Sequence, residues 1–124
     1  MNPSEVTPFD EVKQFEKRQP EAIVALYSFD NRCRFASATH RTILGYSQAE
    51  MIGKHWSEVV SPEDHAHANL AGNDAVLLGQ SIEFGLRVLT KAGERVPLRG
   101  AARILTDADS DEYYLLFIAE VAAL

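Results

Sequence analysis

Apolar residues near the start of the chain recur with the period of a helix. Between residues 9 and 15 every third side chain is apolar, which predicts a short amphipathic helix. Thr7 supplies a capping hydroxyl, Pro8 suits the first helical position, and the helix is expected to stop before Pro20. Residues 1–20 are therefore interpreted as a polar leader followed by an N-terminal amphipathic helix.

Five other segments have the pattern of strands, because they alternate apolar and polar positions or form short runs of β-branched and aromatic residues. The expected strands are Ala22–Phe29, Arg32–Ala36, Ser81–Thr90, Arg95–Leu105 and Glu112–Val121. Asp30 and Asn31 favour a turn between the first two, and residues 91–94 favour a turn between the third and the fourth. The acidic loop Thr106–Asp111 precedes the last strand.

Helical signals occupy the segment from Ser37 to about Leu78, with breaks at Gly45, Gly53 and Ser61. The order of elements is thus a helix, two strands, several short helices and three strands. This order predicts an α+β fold built on an antiparallel sheet.

Length and composition fit one soluble domain. The chain has 124 residues, 46% of them hydrophobic, so residues 21–124 are expected to form a single domain after the leader. A net charge of -6, with 12 basic residues scattered among 18 acidic ones, argues against binding to nucleic acid or an anionic membrane surface. No apolar run approaches the ~20 residues of a membrane span, and the polar N-terminus is unlike a secretory signal, so a cytoplasmic location is expected. The single Cys33 excludes an intrachain disulfide and a multi-thiolate metal site.

All four histidines and the single tryptophan lie within residues 40–67. On a helix the side chains of His65 and His67 diverge by about 200°, so they cannot bind one metal ion together. His40 and His55 are interpreted as surface residues, and no metal site is expected.

Two helix-start signals lie in the same stretch. Ser47 and Glu50 have the spacing of a capping box. Ser61 is followed by Pro62 and two acids, so it is expected to cap the next helix in the same way. These polar residues thus have structural roles that require no ligand.

Three motifs carry a resemblance to a known family. The sequence GYSQAEMIGK at 45–54, PED at 62–64 and KAG at 91–93 resembles the landmarks of PAS sensory domains. The resemblance spans about Ala22 to Val121, and it implies a PAS fold with a five-stranded antiparallel sheet in the order 2-1-5-4-3. Short helices would pack on one face of this sheet and leave a pocket between. The family often has asparagine at the position of Ser37, and serine caps a helix equally well.

The resemblance implies a sensory role, in which the pocket detects a small ligand or a redox or light signal and the domain passes it on through protein–protein contacts. The alternative is a cofactor-free PAS dimerisation module, and a remote alternative is a small α+β hydrolase or isomerase. The sequence contains no nucleophile elbow, phosphate-binding glycine loop or HExxH motif, so no enzyme activity is expected. The apolar stripe of Phe9, Val12 and Phe15 must be buried on the chain's own sheet or on a second subunit, so a homodimer through the N-terminal helix and the sheet is expected. The resemblance implies a link to the output domain of a two-component kinase or a cyclase, or to a partner in trans.

The resemblance leaves the cofactor open. Haem-sensing relatives carry a histidine on the helix after the PED motif, and His67 is the best-placed residue because it shares a helical arc with Leu70, whereas His65 points the other way. Light-sensing flavin relatives carry a reactive cysteine after the Gly-Lys pair. Cys33 lies upstream of that pair and is interpreted as an ordinary strand residue, so covalent flavin photochemistry is not expected.

Strand alternation and the expected helices select the pocket wall. Trp56 is expected to line it, with its indole N–H bonded to the backbone. The inward strand positions are expected to be Leu26, Phe84, Leu86, Val96, Leu98, Leu115 and Phe117. The arginines at 95, 99 and 103 alternate with these and are interpreted as a solvated outer face. The residues predicted to bind a cofactor are His67, Trp56, Leu70, Phe84, Leu86, Leu98 and Phe117, and the ligand is expected to be read by shape with few charges.

Overall fold

Helices and strands follow one another in the order that the sequence predicts. The computed structural model of the protein describes residues 7–107 and 112–122, so positions 1–6 of the leader and 108–111 of the acidic loop lie outside the described residues. The elements are α1 (Pro8–Arg18), β1 (Ile23–Ser28), β2 (Cys33–Ala36), a π-helical turn (His40–Leu44), α2 (Gln48–Met51), two 3₁₀ turns (Trp56–Glu58 and Pro62–Asp64), α3 (His65–Leu78), β3 (Ile82–Leu89), β4 (Arg95–Thr106) and β5 (Tyr113–Val121).

The five strands form one sheet in the order β2-β1-β5-β4-β3, with every neighbouring pair antiparallel. This confirms the order 2-1-5-4-3, and each expected strand end lies within a single residue of the observed one. Leu98 of β4 pairs with Leu86 of β3, and Ala25 of β1 pairs with Phe117 of β5. The register therefore brings apolar side chains of four strands to the same face.

The sheet is covered on both faces at β1, where all six residues are buried. The inner face carries Ile23, Ala25 and Tyr27 and packs against the helical segment 37–78. The outer face carries the even-numbered positions of β1 and packs against α1. Leu26 belongs to the outer face, so its predicted place in the pocket wall is wrong.

Helix α1 buries its apolar stripe on its own sheet. Thr7 and Asp10 form a capping box, with the Asp10 N–H donating to Thr7 Oγ1 at 3.1 Å. Val12 is fully buried against the outer face. Two polar contacts hold the helix in place, because Arg103 reaches Glu11 at 2.7 Å and the Ala38 N–H donates to a Glu16 carboxylate oxygen at 2.9 Å.

The family-like motifs at 45–54 and 91–93 meet in space. Ser47 and Glu50 form the predicted capping box, with the Glu50 N–H donating to Ser47 Oγ at 3.1 Å. The Glu50 carboxylate also pairs with Lys91 Nζ at 2.6 Å, and the Lys91 N–H donates to the Leu44 carbonyl at 2.8 Å. Gly45 ends the π-helical turn with a φ of 85°, a conformation that favours glycine. The two motifs therefore lock the helical segment to the turn between β3 and β4.

The predicted cap at Ser61 is wrong. Its buried hydroxyl donates to a Glu63 carboxylate oxygen at 2.8 Å and makes no bond to the following helix backbone. The start of α3 is instead fastened by Asp64, whose two carboxylate oxygens accept from the Arg87 guanidinium at 2.8 and 2.9 Å. These hydrogen bonds lower the pKa of Asp64 to about 2.

Candidate ligand-binding cavity

A cavity of about 180 Å³ lies between the inner face of the sheet and α3. Its walls come from β1, β3, β4, β5, the π-helical turn, the 3₁₀ turn at Trp56 and α3. The apolar lining residues are Ile23, Ala25, Phe29, Leu44, Trp56, Val59, Val60, Ala68, Val76, Phe84, Leu86, Val88, Leu98, Leu115, Phe117 and Ala119. None of the lining residues in the described chain is Asp, Glu, Lys or Arg.

Aromatic rings from three strands meet at the wall. The Phe117 ring lies edge-on to Tyr27 at 5.4 Å and to Phe84 at 5.8 Å, measured between ring centroids. Such edge-to-face pairs fix ring positions as well as burying area. The cavity therefore presents preordered aromatic surface to whatever enters it.

His40 is buried in the cavity wall, with 2% of its surface exposed. Its Nδ1 lies 3.0 Å from the Ser37 carbonyl oxygen, which can only accept, so Nδ1 carries a proton. Burial penalises the charged ring and lowers the pKa of His40. The expectation that His40 is a surface residue is wrong, since the π-helical turn folds it inward.

Trp56 lines the cavity as predicted, between two histidine rings. Its ring lies edge-on to His65 at 5.4 Å and tilted against His55 at 5.4 Å. The indole N–H makes no hydrogen bond to any described residue, so its predicted bond to the backbone is wrong. The His65 ring is held by Nε2, which lies 2.8 Å from the Val60 carbonyl oxygen. His55 Nδ1 accepts from the Ser57 N–H at 3.2 Å and caps the 3₁₀ turn that carries Trp56.

The exposed lining residues cluster in two places. Phe29, which is 59% exposed, and Asn31 lie at the turn between β1 and β2, and Asn69 and Asn73 lie on α3. A ligand entering between these segments would meet amide side chains before it met the apolar interior. This side of the cavity is therefore its candidate mouth.

Five of the residues predicted to bind a cofactor line the cavity: Trp56, Phe84, Leu86, Leu98 and Phe117. That they bind a ligand stays a prediction. His67 and Leu70 do not line the cavity, and both are exposed. α3 turns Ala68, Gly72 and Val76 towards the sheet instead, so the expected helical arc through His67 is wrong.

His40 and Tyr27 line the cavity, although neither was predicted to do so. The one signal for His40 was its four-residue spacing from Leu44, which places both side chains on one side of a helical turn. No feature of the β1 sequence indicated that Tyr27 faces the cavity. Every residue of that strand is buried, so the strand has no alternation of apolar and polar residues that would distinguish its two faces.

The arginines at 95, 99 and 103 were predicted to lie away from the pocket. In agreement with this, none of the three lines the cavity. Arg99 is exposed, Arg103 pairs with Glu11 of α1, and Arg95 pairs with Glu63 at 2.7 Å. Val96 packs against the inner core without reaching the cavity.

The described residues do not fit a haem or a covalently attached flavin. The cavity is close to the about 150 Å³ that holds a benzene molecule, so it is too small for a porphyrin or a flavin ring. His67 lies outside it. Cys33 is fully buried in β2, and burial raises the pKa of its thiol to about 11, so it is not a ready nucleophile.

A family model of the PAS fold matches residues 34–119. The chain belongs to this family. PAS domains are typically regulatory sensor modules rather than enzymes. Within the described part of the chain, no helix is both long and apolar enough to cross a membrane.

Solved PAS structures share the fold at low sequence identity. The PAS domain of a protein from Colwellia psychrerythraea has a TM-score of 0.75 at 15% identity, covering 90% of this chain and 97% of that one. The PAS-B domain of Drosophila melanogaster Cycle, with bound ethylene glycol, has a TM-score of 0.74 at 16% identity, covering 81% and 99%. A sensory box histidine kinase/response regulator from Burkholderia thailandensis has a TM-score of 0.66 at 16% identity, covering 89% and 83%. No curated protein matches the sequence.

Proposed function

We propose that this PAS domain is a cytoplasmic sensor that takes up a small uncharged ligand in its cavity and passes occupancy on through protein–protein contacts. The observation that carries the proposal is the cavity of about 180 Å³ with an uncharged, largely apolar wall. Protein cores are normally packed without voids larger than a water molecule. An apolar void with a candidate mouth and a few polar groups in its wall has the character of a ligand site.

The output of the sensor is proposed to be a signalling enzyme, joined to it or acting in trans. The likeness to the sensory box histidine kinase/response regulator supports a two-component partner. A diguanylate cyclase with a PAS sensor is a second kind of protein with the same fold. The domain itself is proposed to have no catalytic activity.

A specific observation also favours the cofactor-free interaction module as a second candidate function. Leu70, Leu77 and Leu78 of α3 are 59%, 80% and 59% exposed, and exposed apolar groups of this kind favour protein contacts. Both functions can coexist, because these side chains point away from the cavity.

Homodimerisation through α1 and the sheet stays a proposal, although the apolar stripe that suggested it is buried on the domain's own sheet. The test is sedimentation of the intact chain and of a chain that begins at Glu21. Loss of a dimer on truncation would support a role for α1, provided that the shorter chain remains folded by circular dichroism. Unchanged association would remove α1 from the interface.

The sensory proposal is tested by identifying small molecules that copurify with the protein from its native host. Denaturation of the purified protein should release one small molecule, in an amount nearly equal to that of the protein, and mass spectrometry identifies it. Leu98→Trp should abolish its retention, because the larger ring fills the cavity, whereas the matched variant Arg99→Ala on the outer face should retain it.

Two results would contradict the proposal. If Arg99→Ala abolished retention and Leu98→Trp did not, the ligand would bind outside the cavity, at an anion site. If the intact chain released nothing and bound no member of a library of small uncharged compounds, the cavity would have no sensory role.

A further inference from the structure

Two residues that are buried in the cavity wall carry a polar side-chain atom with no partner in the described chain. One is Nε2 of His40, since only the Nδ1 of that ring is hydrogen-bonded. The other is the hydroxyl of Tyr27, whose side chain is 7% exposed. Both residues line the cavity.

These two atoms face open space rather than packed carbon. Every side-chain nitrogen or oxygen of the described residues that is fully sealed has a hydrogen-bond partner. The unpaired atoms of His40 and Tyr27 are therefore accessible, and the accessible space beside these buried residues is the cavity. Each of these accessible atoms is free to form a hydrogen bond, so each marks a place where an occupant of the cavity can bond.

The hydrogen bond to Ser37 sets the chemistry of His40. A proton on Nδ1 leaves Nε2 of the neutral ring with a lone pair, so it accepts a hydrogen bond. The Tyr27 hydroxyl both donates and accepts. An occupant with an O–H group satisfies His40 directly, whereas a hydrocarbon leaves it unpaired.

The volume of the cavity and the aromatic rings in its wall determine what the remainder of the ligand can be. The cavity, at about 180 Å³, is slightly larger than the about 150 Å³ that holds benzene. The edges and faces of Phe84 and Phe117 provide aromatic surface for a ring. A carboxylate or an amine would find no charged partner among the described residues of this wall.

We propose that the ligand is a small neutral phenol, a single aromatic ring whose hydroxyl donates to Nε2 of His40. This rests on the sensory function proposed above and names the class of molecule that the cavity takes. Tyr27 supplies a second hydrogen-bonding group for the same hydroxyl or for a substituent on the ring.

The test is calorimetric titration of the intact chain with phenol and with toluene, which have equal numbers of heavy atoms and differ in a hydroxyl against a methyl group. Phenol should bind about tenfold more tightly, because one net hydrogen bond is worth about 1.4 kcal/mol. His40→Leu should abolish this preference. Tyr27→Phe should retain most of it, and Leu98→Trp should abolish binding of both compounds.

The outcomes separate this inference from the sensory function. Equal affinity for toluene and phenol in the intact chain would overturn the role of His40 while leaving uptake into the cavity supported. Binding of neither compound, together with a different molecule released from the native protein, would overturn the phenol class alone. The comparison in the intact chain needs no variant, so it holds even if His40→Leu fails to fold.

Discussion

The two faces of the sheet differ in how closely they are packed. On the outer face Val12, Leu26 and Leu116 have no exposed surface, and α1 closes over them. On the inner face the helices close over strands of similar composition but leave a cavity of about 180 Å³. β1 contributes alternate residues to the two faces, so the faces differ both in the side chains that they receive from it and in the helices that cover them.

The difference has an energetic scale. At ~24 cal/mol per Å³, an empty cavity of this size costs about 4 kcal/mol relative to a filled core. That is a substantial part of the 5–15 kcal/mol that typically stabilises a domain. The closely packed part of the outer face, under α1, therefore stabilises a fold whose inner face is left available for a ligand.

The largest expected effect comes from a charge placed in the sealed face. Val12→Asp should lower the free energy of unfolding by about 4 kcal/mol, because it buries an unpaired carboxylate against the sheet. Lys13→Asp, one residue along on the exposed side of α1, should change it by less than about 0.5 kcal/mol. Urea unfolding followed by circular dichroism measures both. Similar effects of the two variants would mean that α1 does not seal the outer face.

An intermediate effect separates matched leucines on the two faces. Leu26→Ala should cost about 3 kcal/mol, since a fully buried side chain leaves a new void. Leu86→Ala should cost only about 1.5 kcal/mol, because its side chain already borders empty space and makes fewer contacts.

The measurement is again urea unfolding, without added ligand. A larger loss for Leu86→Ala than for Leu26→Ala would show that the inner face is the better packed of the two. Saturating phenol should widen the gap between the intact chain and Leu86→Ala if the cavity is the binding site.

The smallest expected effect concerns the Asp64–Arg87 pair, which holds the start of α3 to β3. The pKa of Asp64 is lowered from 3.8 to about 2, so its stabilising contribution is present above about pH 4 and is lost as the pH falls through 2. Asp64→Asn should lower Tm by about 2 °C at neutral pH, since the Arg87 side chain is 48% exposed and solvent screens the pair. The difference in Tm between the two proteins should vanish near pH 2.

Hydrogen exchange at neutral pH locates this effect. The amides of α3 should exchange faster in Asp64→Asn, whereas those of α1 should not change. Equal acceleration in both helices would mean that the two faces of the sheet open together rather than separately.

The sequence was sufficient for the fold because its local signals agreed. Strand periods, the turn at Asp30 and the capping box at Ser47 each point to the same order of elements, and the motifs at 45–54 and 91–93 identify the family. The observed contact between Glu50 and Lys91 explains why those two motifs occur together. Consistency among levels of this kind is what makes a sequence readable.

The strand residues that line the cavity were predicted reliably only where apolar positions alternate with polar or small ones. Phe84, Leu86 and Leu98 alternate with polar or small neighbours, so their face was correctly inferred. On α3 the phase was lost, because a separate 3₁₀ turn precedes the helix at His65 and leucines occupy its exposed side as well. The inward position of His40 depends on a π-helical turn, which no local sequence pattern predicted.

Trp56 makes the cavity optically visible. It is the only tryptophan in the chain, and it lies in the cavity wall with its N–H unpaired among the described residues, so all indole emission reports on this one place. Displacement of water by an apolar occupant should shift that emission to shorter wavelength. Trp56 is thus an intrinsic fluorescent probe of occupancy, and the filling of the cavity can be followed in time without attaching a dye.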